Sequence, residues 1–357
     1  MKKEYMLLLI NVGSTSTKIC LNKGADVLAK GTIRYSSKEL IQYKELKDQL
    51  SRRYEDLIKF INENNIELHK VDIVVSRGGY GKPIPAGVYR IDESIVRDGI
   101  TGKYGKHASA LGPAMALSIS KEYNIRAVVV DPPTIDEFHP LARISGISEI
   151  ERQSAGHPLN QKAAARRFSK EIGKRYEDVS VVVAHMGGGI TIGAHQNGRI
   201  IDCTHGLAEG PFTPERAGSL PTIKLLDLVH SRKLSREEIE SKLIGKGGFS
   251  AYLGTSDALE VEKMIREGDE NAKLTYQAMA YQIAKDIGAM AVVLKGKVDA
   301  IVLTGGLASS QMLTDLIKER IDFIAQTFIY PGEDEMAALA EGGLKVLLEE
   351  EQIKKYQ

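Results

Sequence analysis

Polar and small residues follow the first apolar run of the chain, and their types suit the binding of phosphate. Residues 6–10, MLLLI, are continuously apolar, as expected of a central strand buried on both faces. Glycine makes backbone N–H groups accessible, while hydroxyl and ammonium groups complement phosphate oxygens. The sequence therefore predicts a phosphate-binding turn, although not a P-loop, because GxxxxGK[ST] is absent. An ordinary Ser/Thr-rich hairpin is the alternative. The residues of this turn with suitable chemistry are Asn11, Gly13, Ser14, Thr15, Ser16 and Lys18.

A triple glycine predicts a second turn of this kind in the middle of the chain. Residues 181–202, VVVAHMGGGITIGAHQNGRIID, are interpreted as a buried strand, a turn at Gly187, Gly188 and Gly189, and a second strand that leads into a hairpin. Glycine lets the backbone approach a ligand more closely than a Cβ atom would permit. Ile192 occupies the last glycine position of a GxGxxG fingerprint, which disfavours a nicotinamide-dependent dehydrogenase.

The two turns belong to an internal repeat. A constant shift of 174 residues places Gly187 over Gly13, Gly198 over Gly24 and His185 over Asn11. A second pair follows in the same order, because VDIVVSRGG at 71–79 matches VDAIVLTGG at 298–306 without a gap. Two matched strand and glycine units in each half predict a duplicated α/β fold whose halves face one another across a cleft.

Three charged residues have positions suited to binding ions. Arg77 follows the strand at 71–76, and a planar guanidinium beside two glycines is suited to a carboxylate or phosphate. Arg216 is a second such candidate, in a polar and turn-rich loop. Asp131 is the first polar residue after the apolar strand at 125–130, where open α/β sheets place ligands. The alternatives are surface arginines and an aspartate that caps a turn.

Two histidines lie at the starts of predicted helices. His107 begins the helix at 107–123, and His157 precedes the helix at 159–173, where the helix dipole favours an anion. A structural role is the alternative for both, His107 as a helix cap and His157 as a loop residue.

Other segments complete the predicted layout. The strand at 300–303 ends near Gly305 and Gly306, which lead into a helix and are suited to seat a nucleoside. Residues 82–106 are interpreted as a connection punctuated by glycine and proline, and residues 245–250, GKGGFS, as a flexible segment.

Length and composition limit the class of function. A chain of 357 residues is too long for one ordinary domain, so two are expected. The 48 basic and 47 acidic residues nearly balance, which leaves no overall field to attract nucleic acid or an acidic membrane, so small molecules are the expected partners. No run approaches the roughly 20 apolar residues of a membrane span. Cys20 and Cys203 form no disulfide framework or CxxC motif, which suits a reducing cytoplasm.

The residue types together favour phosphoryl transfer. No Ser-His-Asp order, HExxH motif or cysteine ligand set is present in the sequence. Two glycine and hydroxyl turns, two arginines, a strand-end aspartate and histidines at helix starts supply positioning and charge neutralisation. Phosphoryl transfer needs these more than it needs a covalent catalyst.

The same segments resemble a known family. LINVGSTSTK, AHMGGGITIG and LTGGLASS are similar to the phosphate, second phosphate and adenosine motifs of the acetate kinase, sugar kinase, Hsp70 and actin superfamily. DPPTIDE, ARISGISEIERQSAGHPLNQKAAARR and GPFTPERAGSLP resemble the butyrate kinases within it. The resemblance covers about residues 5–345. It implies two duplicated ribonuclease H-like (actin-like ATPase) domains around a cleft. An acid-binding and phosphate domain would span residues 1–145 plus 337–357, and a nucleotide-binding domain residues 146–336.

The resemblance also implies an activity. A carboxylate kinase would transfer the γ-phosphoryl group of ATP, with Mg²⁺, to butyrate or a related short or branched fatty acid, giving ADP and an acyl phosphate reversibly. Arg216 and Arg77 would neutralise the phosphoryl group and the acid, and His157 would hydrogen-bond the phosphoryl oxygens. His107 is expected beside Arg77 at the acid.

The resemblance further implies the ligands of the metal and the nucleotide. Asp131 and Glu333 would hold Mg²⁺, with the adjacent Asp334 and Glu335 as alternatives to Glu333. The implied phosphate-lining residues are Asn11, Ser14, Ser16, Lys18, His185, Gly187, Gly188 and Gly189, and those at the adenosine are Gly305 and Gly306.

Two departures from acetate kinases affect the choice of acid. Acetate kinases carry HGTSH and NGSS where this chain has HPLNQ at 157–161 and GGIT at 188–191, which disfavours acetate. An acetate or propionate kinase and a non-catalytic ATPase switch of the Hsp70 or actin kind are the alternatives. A cytoplasmic homo-oligomer, dimer or higher, is expected, and the long apolar helix at 271–294 is interpreted as core or subunit interface.

Overall fold

The first sheet is built around the N-terminal strand in the computed structural model, which describes residues 4–356. Its strands lie in the order β3-β2-β1-β4-β6-β5. Strands β1, β4 and β6 are parallel, so their carboxyl ends share one edge of the sheet. Their apolar runs are almost wholly buried, as expected of central strands. The strands are β1 (Met6–Val12), β2 (Ser16–Lys23), β3 (Asp26–Arg34), β4 (Ile73–Arg77), β5 (Val88–Arg90) and β6 (Arg126–Val130).

Four helices accompany this sheet within the described residues up to Asp136: α1 (Ser37–Leu40), α2 (Leu50–Glu63), α3 (Glu93–Thr101) and α4 (Leu111–Tyr123). Single 3₁₀ turns lie at Leu46–Gln49, Leu68–Lys70 and Ala108–Ala110. The segment 82–106 was predicted to be a connection, but it contains β5 and α3. Helix α3 starts at a cap, because the Asp92 carboxylate accepts the N–H groups of Ser94 and Ile95.

The second sheet has the order β11-β10-β7-β8-β9. Its strands are β7 (Ser180–Met186), β8 (Ile190–Gln196), β9 (Arg199–Cys203), β10 (Ala300–Gly305) and β11 (Thr327–Pro331). The helices of this part are α5 (Pro140–Arg143), α6 (Pro158–Glu171), α7 (Thr222–Arg232), α8 (Arg236–Leu243), α9 (Gly248–Leu253), α10 (Ala258–Arg266), α11 (Glu270–Val293) and α12 (Gln311–Ile321), with 3₁₀ turns at Tyr176–Asp178 and Gly306–Ser309. The last helix, α13 (Glu335–Leu347), packs on β1 and β4 of the first sheet.

Strand pairing confirms the internal repeat. Leu7 of β1 pairs with Ile73 of β4, and Val181 of β7 pairs with Ala300 of β10. These pairs are related by the same offsets as the matched sequence segments, 181 − 7 = 174 and 300 − 73 = 227. The orders β3-β2-β1-β4-β6 and β9-β8-β7-β10-β11 also correspond. The predicted duplicated α/β fold is therefore confirmed.

The described residues divide into two compact units. The first contains the residues up to Asp136 and those from Asp334 onwards, and the second is Glu137–Glu333. Each unit has its own apolar core, around Leu8 and Leu111 in the first and around Val182 and Ile283 in the second. The sequence prediction placed the boundaries at 145/146 and 336/337, nine and three residues further along the chain, and that division stays a prediction. The functional roles given to the two domains stay predictions.

Residues 4–356 contain neither a membrane-spanning helix nor a cluster of metal-binding side chains. None of the helices there has the length and apolarity needed to cross a membrane. In the same residues no three His, Cys, Asp or Glu side chains are grouped so that they form a metal site.

Candidate active site

A buried arginine holds the turn that follows β1. Arg53 of α2 is 1% exposed, and its Nη1 donates to the carbonyl oxygens of Gly13 and Ser16, both at 3.1 Å. Its Nη2 donates to the carbonyl oxygen of Ser14 at 2.9 Å. Burial lowers the pKa of this guanidinium, which nevertheless stays charged at neutral pH. One cation therefore compensates three carbonyl dipoles that would otherwise repel a phosphate.

His107 contacts the same turn. Its Nδ1 accepts the backbone N–H of Ser109 at 3.2 Å, so the neutral ring carries its proton on Nε2. Nε2 lies 3.5 Å from Oγ of Ser14, an exposed residue of the turn. The cap role considered from the sequence is observed, together with a contact to a predicted phosphate ligand. Ser16 and Lys18 are half-buried on β2.

A buried carboxylate joins the ends of β1 and β4. Glu335 is 1% exposed at the start of α13, and its Oε2 accepts from Asn11 Nδ2 at 2.7 Å and from Arg77 Nη1 at 3.1 Å. The structure thus brings Asn11 and Arg77 together through a residue that the sequence prediction named only as an alternative. Glu333 and Asp334 are both exposed.

Asp131 follows β6 in a conformation that is uncommon outside glycine. Its φ is 39°, and the residue is 4% exposed. Its Oδ1 accepts the N–H of Gly87 at 2.9 Å, while its own N–H donates to the carbonyl oxygen of Gly87 at 3.1 Å. The reciprocal bonds hold the strained backbone at the carboxyl end of a strand, where strain indicates a functional constraint.

In the second unit, the triple glycine makes room for an arginine. A Cβ atom on Gly189 would lie 2.3 Å from Nη1 of Arg216, so the guanidinium packs directly on this backbone. Arg216 is 8% exposed, and Nη1 donates to the carbonyl oxygen of Gly206 at 2.5 Å. Gly188 is exposed, and its carbonyl oxygen accepts from Thr213 Oγ1 at 2.7 Å. The sequence predicted close approach of a ligand here, and the structure shows close approach of a candidate ligand-binding side chain.

The loop that carries Arg216 is fixed by its backbone. Thr213 N–H donates to the carbonyl oxygen of Arg216, and Arg216 N–H donates to Thr213 Oγ1, both at 3.0 Å. A Cβ on Gly248 would lie 1.6 Å from the carbonyl oxygen of Thr213, and φ of Gly248 is 57°. The segment 245–250, predicted to be flexible, is therefore partly helical in α9 and supports the arginine loop.

His157 and His185 form a stack beside the triple glycine. Their ring centroids are 4.0 Å apart and the rings are inclined by 17°. His157 Nδ1 lies 3.0 Å from Thr191 Oγ1, and His185 Nδ1 lies 2.8 Å from Asn160 Oδ1. Pro158 begins α6, so His157 stands at the N-terminus of a 14-residue helix, as predicted.

Two buried donors of this unit have no hydrogen-bond partner among residues 4–356: Arg216 Nε and Asn160 Nδ2. A buried donor without a partner costs about 1–3 kcal/mol. An anionic oxygen that accepted from either atom would recover that cost. Arg216 Nε and Asn160 Nδ2 are therefore candidate donors to a ligand oxygen.

Gly305 and Gly306, at the end of β10, have different surroundings. Gly305 is buried with φ 92°, and a Cβ atom there would lie 2.3 Å from the carbonyl oxygen of Met186. It exchanges N–H to carbonyl bonds with Gly332 at 2.9 and 3.0 Å. Gly306 is exposed with open space beside it, so it is the better placed of the pair to face a nucleoside.

Solved structures share this fold. An acetate kinase from Porphyromonas gingivalis has a TM-score of 0.78 at 19% identity, covering 96% of this chain and 100% of that one. A propionate kinase from Francisella tularensis has a TM-score of 0.76 at 18% identity, covering 95% and 98%. Identities this low establish the fold alone.

Sequence comparison establishes the family. The model of the Acetokinase family matches residues 150–329. Butyrate kinase 2 of Clostridium acetobutylicum is 49% identical over 355 residues, which are 99% of this chain and 100% of that protein. The chain belongs to the acetokinase family. It is accordingly a carboxylate phosphotransferase, with a carboxylate and ATP as its substrates.

The fold of this acetokinase groups several predicted residues within each unit. Ser14 is joined to His107 in the first unit. His157 is joined to His185, and the triple glycine to Arg216, in the second. Arg53, Gln161 and His195 were not predicted from the sequence as site residues. Gln161 alone had a signal, because it replaces a histidine of acetate kinases.

Proposed function

We propose that this carboxylate kinase phosphorylates butyrate or a related short or branched fatty acid. The observation that carries the proposal is the 49% identity to Butyrate kinase 2 over 355 residues. Identity to the acetate and propionate kinases of known structure is 19% and 18%. The departures from the acetate kinase motifs, Gln161 and Thr191 among them, support the same choice.

The reaction proceeds by direct in-line attack. A carboxylate oxygen of the acid forms a bond to the γ-phosphorus of ATP, the bond from that phosphorus to the bridging oxygen breaks, and ADP leaves with the electron pair. Carboxylic acids are ionised at neutral pH, so the nucleophile needs no strong general base. Catalysis then depends on position and on compensation of negative charge.

The charged residues divide these tasks. Arg216 compensates charge on the transferred phosphoryl group through the guanidinium that packs on Gly189, and His157 donates to a phosphoryl oxygen. Arg77, fixed by Glu335, and His107 bind the acid. The two turns and His185 line the phosphates, and Gly305 and Gly306 form the adenosine seat. The first unit thus serves the acid and phosphate, and the second the nucleotide.

Mg²⁺ is the metal proposed for the reaction. Mg²⁺ is commonly held by one or two carboxylates, by phosphates and by water rather than by a cage of protein ligands. The buried carboxylates of Asp131, which follows β6, and of Glu335, which begins α13, fit that requirement better than exposed Glu333. When bound, the ion supplies compensation of phosphate charge.

A panel of straight and branched acids from two to six carbons tests the proposal. Acyl phosphate is trapped with hydroxylamine, and kcat/KM is compared across the panel. We expect the maximum at a four-carbon acid or its branched relatives. A maximum at acetate or propionate contradicts the choice of acid, and ATP hydrolysis that no acid affects would favour a non-catalytic switch.

We also propose a cytoplasmic homo-oligomer. Cys20 and Cys203 are both buried free thiols, which supports a reducing compartment. Leu226 and Leu274 are 52% and 66% exposed on α7 and α11, which supports a subunit contact on the second unit. Light scattering measures the mass: a dimer or larger species is expected, and a monomer at micromolar concentration contradicts the assembly.

A further inference from the structure

A row of buried hydrogen bonds leads from the interior of the second unit to His157. Tyr176 Oη lies 2.7 Å from His195 Nδ1, and His195 Nε2 lies 3.0 Å from Gln161 Oε1. Gln161 Nε2 donates to Thr191 Oγ1 at 2.7 Å, and Thr191 Oγ1 lies 3.0 Å from His157 Nδ1. Gln161, Thr191 and His195 are fully buried. The five side chains are named here the histidine relay.

The orientation of the Gln161 amide determines which atom donates in each hydrogen bond of the relay. Its Nε2 also lies 3.2 Å from the backbone carbonyl oxygen of Thr191, which can only accept, so this atom must be the amide nitrogen. The opposite atom, Oε1, is then an acceptor and faces His195 Nε2. His195 therefore carries a proton on Nε2.

The protonation of His195 agrees with this direction. Burial, with the nearby charges of Lys162 and Arg166, lowers the pKa of His195 to about 3, so the ring is neutral at neutral pH. A neutral ring with its proton on Nε2 accepts at Nδ1, and Tyr176 Oη is the donor to that atom.

The Thr191 hydroxyl determines which ring nitrogen of His157 carries the proton. Its hydroxyl oxygen already accepts from Gln161, and within residues 4–356 the other hydrogen-bond partner of that oxygen is His157. If His157 Nδ1 were the donor, the buried hydroxyl proton of Thr191 would have no acceptor, at a cost of about 1–3 kcal/mol. The hydroxyl therefore donates to Nδ1, and the neutral His157 ring carries its proton on Nε2.

A glycine leaves the space that the relay needs. A Cβ atom on Gly193 would lie 2.3 Å from Gln161 Oε1 and 3.3 Å from His195 Nε2. Thr191, Gly193 and His195 alternate along β8 and so lie on the same face of the strand. A side chain at position 193 would displace the Gln161 amide, whose orientation determines the donors and acceptors of the relay.

We propose that the histidine relay holds His157 in the Nε2-protonated tautomer, so that its outer nitrogen is a hydrogen-bond donor before any substrate arrives. Tyr176, His195, Gln161 and Thr191 are positioning residues in this arrangement. The part of the proposal that concerns a phosphoryl oxygen rests on the proposed function, whereas the tautomer is a property of the protein alone.

Long-range ¹H–¹⁵N correlation spectra of the full chain, with ¹⁵N-labelled histidine and no substrate, measure the tautomer directly. A His157→Gln variant assigns the signals. We expect the Nε2–H form of neutral His157 in the wild type and in Thr191→Ser. In Thr191→Val the Nδ1–H form should rise to a comparable population, because Nδ1 has lost its donor. Tyr176→Phe should shift the balance in the same direction, while Tyr281→Phe, an exposed tyrosine on α11, should not.

Kinetics provide the second measurement. In Thr191→Val we expect kcat to fall roughly tenfold with a smaller change in the KM for ATP, and Thr191→Ser to restore kcat. An Nδ1–H tautomer in the wild type, or an unchanged tautomer in Thr191→Val, overturns the relay. If the tautomers behave as expected but His157→Gln keeps full kcat, the relay stands and the proposed role of His157 in the reaction fails.

Discussion

Arg53 donates from Nη2 to the carbonyl oxygen of Ser14 at 2.9 Å, so a residue of α2 holds the turn that follows β1. Its Nη1 reaches two further carbonyl oxygens of that turn. This turn and the triple-glycine turn are the two predicted phosphate-binding turns. The shape of the turn after β1 therefore depends on a side chain about 40 residues away in sequence, and that dependence is measurable.

Arg53→Met should lower kcat/KM for ATP by about 10- to 100-fold, because several hydrogen bonds of about 1 kcal/mol each are lost. Arg53→Lys should recover little, since an ammonium group lacks the planar fork that reaches separate carbonyl oxygens. Initial-rate kinetics measure both variants. Arg52→Met is the matched control, because Arg52 is a half-exposed neighbour with surface ion pairs. Equal losses in Arg52→Met and Arg53→Met would remove the special role of Arg53.

Arg216→Ala should lower kcat by roughly 10³-fold or more, as expected for an arginine that compensates phosphoryl charge. The loop should keep its fold, because the backbone of Arg216 is bonded to Thr213. Initial rates at saturating ATP and acid measure the effect. Arg236→Ala, at a residue 86% exposed on α8, is the control. An Arg216→Ala enzyme with wild-type kcat refutes the assignment.

Gly189→Ala should act through Arg216. The new methyl would lie 2.3 Å from Nη1, so the guanidinium must move, and kcat should fall by about 10- to 100-fold. In Gly188→Ala the nearest atom is Glu215 Oε1 at 3.4 Å, so a raised KM for ATP with little change in kcat is expected. Gly288→Ala, with open space on α11, is the control for a glycine substitution. Identical kinetics in Gly188→Ala and Gly189→Ala would contradict the distinction.

The C-terminal acidic residues give a matched set for the metal. Glu335→Gln should raise the Mg²⁺ concentration for half-maximal activity by about tenfold or more, because a buried carboxylate is lost. Asp131→Asn should act in the same direction. Glu333→Gln, at an exposed residue, should leave the Mg²⁺ titration unchanged. A shift in Glu333→Gln without one in Glu335→Gln would reverse the assignment.

His195 should make the protein less stable in acid. Its pKa is about 3 in the folded chain and 6.5 ordinarily, so below about pH 6.5 the unfolded chain binds a proton that the folded chain excludes. The contribution of neutral His195 to the free energy of unfolding is present above pH 6.5 and is lost as pH falls towards 3. The slope from this group approaches about 1.4 kcal/mol per pH unit. Urea unfolding between pH 5 and about pH 7 should therefore show a steeper decline for the wild type than for His195→Gln. Parallel declines would show that His195 does not cause it.

The sequence predicted the fold well because the repeat was explicit. Apolar runs followed by glycine mark β1, β4, β7 and β10, and the two offsets between them agree with the observed pairing. Strand β5 and helix α3 were not predicted, because no repeated or strongly periodic pattern marks them. Strand β5 has three residues, and helix α3 lies in a segment punctuated by Gly and Pro.

Site residues were predicted where the residue type alone indicates the chemistry. They were predicted less well where burial or hydrogen bonds in the folded chain determine the role. Arg77, His157 and Arg216 stand out because they are charged or titratable beside glycines and helix starts. Arg53 resembles any other basic residue on an amphipathic helix, and only its burial distinguishes it. Glu333 and Glu335 cannot be told apart in GEDEM, since the choice depends on which carboxylate α13 turns towards Asn11.

The corresponding strand pairs of the two sheets determine where this activity can be altered. Asn11 lies opposite Lys18 in one half, and its counterpart His185 lies opposite Thr191 in the other, where the hairpin is one residue shorter. Backbone pairing holds these four positions whatever side chains occupy them. Substitutions at such positions can therefore change the chemistry of one half while the strand pairing of both halves is kept.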